Sequence, residues 1–223
     1  MIRFWTMAAF ALLGAAVLLR LGLWQLDRAE WKAAEIARIE AALLEAPADL
    51  PAAPEAAADA YRAVRAAGRV TGAGVPIFST WRGAGPGYRI VVPFEAEDGR
   101  RVLLDLGVAA APDVALPEGP LDVVGNLHWP GERQGDPAAG TWTARDLPQL
   151  AARLGTEPVL IVARRVEPPV PAVGLVPLDA EGIPDNHLGY AVQWFGLALV
   201  WTIMAVWFMW RIAPWRRGRP AEG

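Results

Sequence analysis

The sequence predicts an α+β membrane protein in which two transmembrane helices flank a mainly antiparallel β domain, curled toward a small barrel and carrying one or two helices. An apolar run lies near each end of the chain. Short segments typical of strands follow one another between these two runs. Gly- and Pro-rich turn signals, such as RGAGPG at 82–87 and EDG at 97–99, separate the segments.

The apolar run near the C-terminus predicts a transmembrane helix. It extends from Leu188 to Ile212 and contains no charge before Arg211. At about 1.5 Å of rise per residue, about 25 residues span roughly 37 Å, which exceeds a hydrocarbon thickness of about 30 Å.

The apolar run near the N-terminus, from Phe4 to Leu19, predicts a second span. It is complete only if Arg20 extends its charged group toward an interface, because the apolar sequence LGLWQL follows this residue. A cleaved signal peptide is the alternative. The run lacks a small-x-small cleavage site followed by a turn, and a charged helical segment follows it directly, so we expect it to be retained.

The flanking charges predict the orientation of both spans. The segment 211–223 holds four arginines and one glutamate, and Arg3 is the only charge before the first span. The positive-inside rule therefore places both termini in the cytoplasm. Residues 27–186 carry 15 basic and 23 acidic side chains and are expected on the other side of the membrane. Such an acidic domain argues against a nucleic acid partner.

Composition indicates a bacterial inner membrane protein with a periplasmic central domain. Lys32 is the only lysine, while Ala, Gly, Pro and Arg are abundant, as in proteins from GC-rich genomes. No Arg- and Ser-rich presequence for organelle import precedes the first span. The absence of cysteine excludes disulfides, thiolate metal sites and c-type haem attachment.

The predicted organisation follows from these runs and the segments between them. It comprises a first transmembrane helix over 1–26, a helical extension over 27–48, a β-rich domain over 49–186, a second transmembrane helix over 187–212 and a basic cytoplasmic tail over 213–223. In the extension, apolar residues recur at helical spacing, namely Trp31, Ile36, Ile39 and Leu43.

Within the β-rich domain, six runs predict strands. They begin at Tyr61, Val75, Tyr88, Arg101, Leu121 and Pro158. The sequence TARDLPQLAARLG predicts a helix with Thr143 as its N-cap and Gly155 as its C-terminal stop. Residues 49–60 are predicted as a loop, and residues 168–186 as an extended linker back to the membrane.

The first span ends in the motif GLWQLDRAEWK, residues 22–32. Trp24 is expected at the headgroup level, where its ring and its N–H each find a suitable medium. Gln25, Asp27 and Arg28 follow at the water boundary. A routine interfacial anchor is the alternative interpretation.

The second span opens with the motif NHLGYAVQW, residues 186–194. His187, Tyr190, Trp194 and Trp201 are spaced to share one helix face. Small residues fill in beside them, namely Ala191, Ala198 and Ala205. The alternative interpretation is that the aromatic residues belong to an interfacial belt and that His187 is a capping or surface histidine.

The predicted topology places both motifs at the same, non-cytoplasmic membrane surface. If the helices pack, Trp24, Gln25 and Arg28 come near His187 and Tyr190. Such a site offers a neutral imidazole, aromatic walls and a guanidinium group. Haem needs these three features, as axial ligand, apolar contact and partner for its propionates. Other hydrophobic cofactors or a lipid headgroup also fit.

Signatures of common enzymes are absent from the sequence. It contains no G-x-S-x-G, H-E-x-x-H or phosphate-binding loop, and we expect no enzymatic activity. His128, in GNLHWPGERQG, is expected to be a loop histidine near a strand end. Asp105 and Asp146 are isolated in sequence and are expected to form helix caps or salt bridges.

The chain resembles the surfeit locus protein 1 family of cytochrome c oxidase assembly factors over nearly its whole length. The motifs that carry the resemblance are LGLWQLDRAEWK, YRAVRAAGRV, GPGYRIVVPF, DGRRVLLDLGV, WTARD and NHLGYAVQWF. The histidine of the last motif is His187, which the resemblance implies as the haem ligand. Trp24 and Gln25 match the first motif, and residues 87–89 match the family's "GY" block. Leu106, Gly107 and Val108 stand where the family usually has an Arg-Gly-Trp type sequence.

The resemblance implies a non-catalytic role in maturing haem-copper oxidase, with haem a as the cofactor carried or stabilised for the catalytic subunit. The cofactor-binding candidates are His187, Tyr190, Trp194, Trp24, Gln25 and Arg28. The implied partners are the catalytic subunit of cytochrome c oxidase and membrane lipids, with haem a synthase as a further candidate.

Two other functions fit the sequence. The protein could be a scaffold or accessory subunit that binds the oxidase without a cofactor and uses the stripe Trp194, Ala198, Trp201 and Ala205 to dock helices. An envelope sensor or transporter fragment is less consistent with the sequence, because the spans contain no acidic residue and the chain has no cytoplasmic output domain.

Overall fold

The computed structural model describes residues 2–81, 85–134, 142–180 and 186–213, except the side chains of Arg3 and Trp81. The chain divides into two compact units, one formed by Met1–Ala37 with Glu181–Gly223 and the other by Arg38–Ala180. Three predicted features lie wholly or partly outside the described residues. They are the basic tail from 214 onward, the turn residues 82–84 and the end of the linker, 181–185.

Four helices and seven strands occur in the described part of the chain. The helices are α1 (Ile2–Leu44), α2 (Ala56–Asp59), α3 (Leu147–Leu154) and α4 (His187–Ile212). The strands are β1 (Ala48–Asp49), β2 (Ala63–Val70), β3 (Val75–Trp81), β4 (Gly85–Ala96), β5 (Arg101–Ala109), β6 (Pro120–His128) and β7 (Leu160–Glu167). Six strands match the six predicted runs. Both β1 and α2 fall in or beside the predicted loop 49–60, because elements of two and four residues are too short to leave a periodic pattern.

Helix α1 runs unbroken for 43 residues. Its sequence contains only two glycines, Gly14 and Gly22, and the first proline is Pro47, so little opposes continuous helix. Buried and half-buried positions alternate in steps of three and four along the helix, among them Leu18 and Gln25. This 3.5-residue repeat is typical of a helix that packs along one narrow seam. Trp31, included in the predicted periodic set, lies off this seam and is exposed.

Both α1 and α4 contain segments long and apolar enough to cross a membrane. Most large apolar side chains of these segments are exposed, as expected for surfaces that face lipid instead of water. The predicted class, membrane-length helices flanking a mainly β domain with a few helices, is therefore confirmed.

The strands form one sheet with the order β1-β2-β6-β7-β5-β4-β3. Neighbouring strands are antiparallel except for the pairs β1–β2 and β5–β7. Strand β2 also pairs with β4, but only through residues 68–70 and 94–96 at the strand ends. The sheet is therefore strongly curled without being a closed barrel.

Apolar side chains cover both faces of the central strands. On one face, Phe94, Leu104 and Ile161 belong to the larger cluster of buried residues. On the other face, Leu103 and Leu160 pack in a smaller cluster with Leu147 and Leu150 of α3. Because alternate residues point to opposite faces and both faces are buried, these strands are almost continuously apolar in sequence.

Helix α3 begins one turn later than predicted. Its N-cap is Asp146, whose side chain accepts a hydrogen bond from the backbone N–H of Gln149, so the predicted cap Thr143 is wrong. Aspartate is as good a cap as threonine, and Pro148 fits the first turn, where no N–H donor is needed. The predicted stop at Gly155 is confirmed, because this residue ends the helix in the left-handed conformation.

The last turn of α1 is anchored to the sheet within the second unit. Ile39 and Leu43 are buried. The guanidinium group of Arg164 in β7 donates a hydrogen bond to the carbonyl oxygen of Leu43 at 2.7 Å. This bond satisfies one of the carbonyl groups that every helix leaves unpaired at its C-terminus.

Gly107 in β5 lies where another backbone segment approaches the strand closely. Its φ of 115° is disfavoured for any residue with a side chain, and a Cβ would lie 2.2 Å from the carbonyl oxygen of Gly174. Val108 and Gly174 exchange two backbone hydrogen bonds, which hold the start of the linker against β5. The pairing register of β4 with β5 shifts by one residue beside this position.

Replacing Gly107 should destabilise the protein. We expect Gly107→Ala to lower the free energy of unfolding by about 1–3 kcal/mol from backbone strain, with the overlap against Gly174 adding to the loss. Chemical denaturation of the detergent-solubilised chain, followed by circular dichroism, measures the change. Gly119→Ala is the matched control, because no atom lies within 4 Å of a Cβ at Gly119. Equal stability of the two variants would show that the backbone at position 107 does not require glycine.

Candidate functional site

The two membrane-length helices pack closely where glycine meets an aromatic ring. A Cβ at Gly22 of α1 would lie 2.6 Å from the ring of Phe195 in α4. A Cβ at Gly14 would lie 2.6 Å from the indole ring of Trp201, which also donates a hydrogen bond to the carbonyl oxygen of Ala11 at 2.9 Å. Small residues therefore permit the close approach that membrane helices need in order to associate.

His187 and Gln25 meet across this helix pair. His187 is the first residue of α4, and Gln25 lies on the packed seam of α1. The Nδ1 atom of His187 is 2.8 Å from the side-chain oxygen of Gln25. His187 is half-buried, whereas Gln25 is only 8% exposed. The histidine side chain thus contacts the opposite helix and does not serve only as a local cap.

This contact favours one tautomer of the imidazole ring. An amide oxygen can only accept a hydrogen bond, so the contact favours the form in which Nδ1 of His187 carries the proton. In the neutral ring, Nε2 then carries the lone pair, and a ring nitrogen in this state is the one that coordinates a metal. Metal-ligating histidines commonly donate the other ring N–H to an oxygen in this way.

The aromatic residues predicted beside His187 present large surfaces. Trp24 is 49% exposed and Tyr190 is 50% exposed, while Trp194 is half-buried. Tyr190 also lines a shallow polar depression of about 380 Å³ together with Asn186, Gly189 and Gln193. The rings are therefore available for contact with a flat apolar group or with lipid.

Arg28 stacks on a residue that the sequence analysis did not assign to the site. Its guanidinium carbon lies 3.9 Å from the centre of the Trp31 ring, within the range of a cation–π interaction. The spacing of three residues on one helix could have revealed this pair. Stacking holds the arginine side chain against the helix and leaves its planar N–H donors able to bind a carboxylate.

A second polar cluster lies inside the sheet unit. Arg89 of β4 and Asp105 of β5 form an ion pair in which Asp105 is fully buried. The backbone N–H of Gly107 also donates a hydrogen bond to this carboxylate at 3.0 Å. Burial raises the pKa of Asp105, and the charges of Arg89 and Arg145 and these hydrogen bonds oppose the rise. The expected salt bridge of Asp105 is present.

Residues outside the strands extend this cluster. Arg145 donates hydrogen bonds to Glu132 through its guanidinium group, at 2.6 and 3.1 Å, and through its backbone N–H. Burial acts to raise the pKa of Glu132, but these hydrogen bonds hold it below its ordinary value. With Arg89, both residues line a polar pocket of about 130 Å³. The positive charges of Arg89 and Arg145 are thus balanced by the carboxylates of Asp105 and Glu132.

His128 lies at the end of β6, near Arg145 and Glu132. Burial and the positive charge of Arg145 lower the pKa of His128 to about 4. Its ring lies 5.7 Å from that of Tyr61, measured between centroids. In the described part of the chain, no group of three or more His, Asp or Glu side chains could hold a metal ion.

Removing Asp105 should leave the charge of Arg89 buried without its carboxylate. We expect Asp105→Ala to lower the free energy of unfolding by about 3–5 kcal/mol. The matched control is Asp49→Ala, which breaks an exposed ion pair with Arg65 and should cost about 0–1 kcal/mol. Denaturation in the same detergent compares the two variants. A similar loss of unfolding free energy in both variants would contradict the expected difference between the buried and the exposed ion pair.

The lowered pKa of His128 predicts a pH-dependent stability. Between about pH 6.5 and 4, the unfolded chain binds a proton at this residue that the folded chain does not, so stability falls as the pH is lowered through this range. Replacement by leucine should flatten this part of the profile. Thermal unfolding of wild type and His128→Leu from pH 7 to 4 measures the difference, and parallel profiles would contradict it.

Comparison with known proteins identifies the family of this chain. A model of the SURF1 family matches residues 12–199. Surfeit locus protein 1 of Homo sapiens is 28% identical over 222 residues, covering 84% of this chain and 72% of that protein. The protein of the same name from Rattus norvegicus is 28% identical over 242 residues, covering 89% and 74%. The SURF1-like protein of Caenorhabditis elegans is 39% identical over 71 residues, covering 32% and 22%. Since the match extends from α1 into α4 and includes the whole sheet, this protein belongs to the SURF1 family.

Proposed function

We propose that this protein is a membrane-bound assembly factor of cytochrome c oxidase that binds haem a through His187 and carries or stabilises it for the catalytic subunit. Membership in the SURF1 family supports the role in oxidase assembly. The observation that supports haem binding is the hydrogen bond between His187 and Gln25, which favours the imidazole tautomer of a metal ligand. The protein has no catalytic step in this proposal.

The residues around His187 fit a haem group. Haem supplies an iron atom with open axial positions, an apolar macrocycle and two propionate carboxylates. Nε2 of His187 would bind the iron. The exposed faces of Trp24, Tyr190 and Trp194 would contact the macrocycle, and the guanidinium group of Arg28 would pair with a propionate.

A carrier must release its cargo, which limits how strongly it can hold the iron. One histidine ligand with a weak or open opposite position meets this need better than two strong ligands. We therefore expect a five-coordinate or weakly six-coordinate haem. A spectrum of tight bis-histidine ligation in the purified protein would contradict this expectation.

The proposed setting is the bacterial inner membrane, with both termini cytoplasmic and the β domain periplasmic. The excess of arginine in the C-terminal segment and the acidic composition of residues 27–186 support this orientation. In this arrangement His187 and Gln25 lie near the periplasmic surface. The catalytic subunit of the oxidase and haem a synthase would then exchange haem with this site within the membrane.

The alternative, a scaffold without a cofactor, loses its proposed docking surface. It required the stripe that contains Ala198 and Trp201 to bind a helix of another protein. In the structure, Ala198 is buried and Trp201 packs on Gly14 and donates a hydrogen bond to Ala11. At Trp201 the stripe therefore already packs on α1 of the same chain.

The proposal predicts that haem content depends on one of the two histidines. We expect the wild type, purified from cells that make haem a, to show a haem spectrum that His187→Ala loses almost completely. His128→Ala is the matched control and should retain the pigment, because His128 lies in the sheet unit beside Arg145. Equal haem content in wild type and His187→Ala would exclude His187 as the ligand.

A further inference from the structure

Gln25 is a buried polar residue in an apolar helix seam. Its neighbours on the seam of α1 are Gly22 and Ala29, and only 8% of its surface is exposed. A buried amide without a hydrogen-bond partner costs free energy, and in or near a bilayer little water is present to supply one. Helix packing alone therefore does not explain why a glutamine lies at this buried position.

The partner of this amide is a ring nitrogen and not a backbone group. The side-chain oxygen of Gln25 lies 2.8 Å from Nδ1 of His187. Packing of Phe195 on Gly22, one turn away on α1, fixes the distance between the two helices next to this bond. The close contact of Phe195 with Gly22 therefore sets the distance that the hydrogen bond between Gln25 and His187 spans.

We propose that Gln25 is the positioning residue of the haem site, which holds His187 in the Nδ1–H tautomer and fixes the orientation of its ring. This inference rests on the proposed function, since it assigns Gln25 a role through His187 instead of direct contact with the cofactor. Hydrogen bonds of this kind orient ligating histidines and raise their basicity. Gln25 then controls both the affinity for haem and the electron density that reaches the iron.

Two substitutions separate this role from packing alone. Gln25→Leu keeps the volume and suits the apolar seam, but it cannot accept the Nδ1–H proton. Gln25→Glu keeps an acceptor and strengthens it, because a carboxylate makes the imidazole a stronger donor ligand. A residue that only packs would tolerate leucine and would leave the properties of the bound iron unchanged.

The experiment compares full-length variants purified in detergent from cells that make haem a. We expect Gln25→Leu to bind haem about 10- to 100-fold more weakly than wild type, measured by spectral titration with haem. We expect Gln25→Glu to restore binding and to lower the midpoint potential of the bound haem, measured by redox titration. Thr202→Val is the matched control, because it removes a side-chain hydrogen bond to the carbonyl oxygen of Ala198 within α4, fifteen residues along the chain from His187. It should leave affinity and potential unchanged.

The outcomes distinguish this inference from the function on which it rests. A wild type that binds no haem would overturn the proposed function and this inference with it. If His187→Ala abolishes binding while both Gln25 variants keep wild-type affinity and midpoint potential, the inference alone is overturned. Circular dichroism of each variant shows whether a loss of binding reflects loss of the fold. If Gln25→Leu is not folded, the shift in potential of Gln25→Glu decides the outcome, and an unchanged potential overturns the inference.

Discussion

Close packing of α1 against α4 is the constraint on which the candidate site depends. Lipid chains are as apolar as the helix surfaces, so the helices gain no hydrophobic energy by associating and rely on shape and hydrogen bonds. The chain meets this requirement with glycine opposite aromatic rings at Gly14 and Gly22 and with a Trp201 hydrogen bond to a backbone carbonyl. The bond between His187 and Gln25 lies further along the same seam, next to the contact of Phe195 with Gly22.

The sheet unit uses a different balance of forces. Its strands are apolar on both faces, and the charge of Asp105 is buried between them only because Arg89 and the N–H of Gly107 accompany it. Gly107 permits the backbone approach of Gly174 and also donates to this carboxylate, so one residue supports both the strand pairing and the ion pair.

The proposed role in oxidase assembly rests on membership in the SURF1 family and on the chemistry at His187. The SURF1 family gives the general process, and the tautomer of His187 gives a reason for haem at this position. The proposal also rests on the exposed faces of Trp24 and Tyr190, which offer apolar surface to a flat ligand. The balanced charges around Arg145 in the sheet unit offer no comparable site, because each cation there already has a carboxylate beside it.

Much of the fold could be predicted from local sequence. Membrane-length apolar runs, a long segment free of proline, and short apolar segments between turn residues correspond to α1, α4 and six of the strands. Gly155 could be identified as a helix stop because only its own backbone conformation matters. The cap of α3 could not be assigned reliably, since Thr143 and Asp146 are both good caps and the tertiary position of the chain selects one of them.

The sequence alone determined which residue types could form a site at the membrane surface: an imidazole, an amide, indoles and a guanidinium group. Only the tertiary structure decided which of them meet, because the rotation of each helix about its axis sets which side chains lie on the seam. That rotation directs Gln25 to His187, leaves Trp24 and Tyr190 half exposed, and lets Arg28 stack on Trp31 of its own helix. Partners in the second helix lie about 160 residues away, and no local pattern encodes a contact over such a distance.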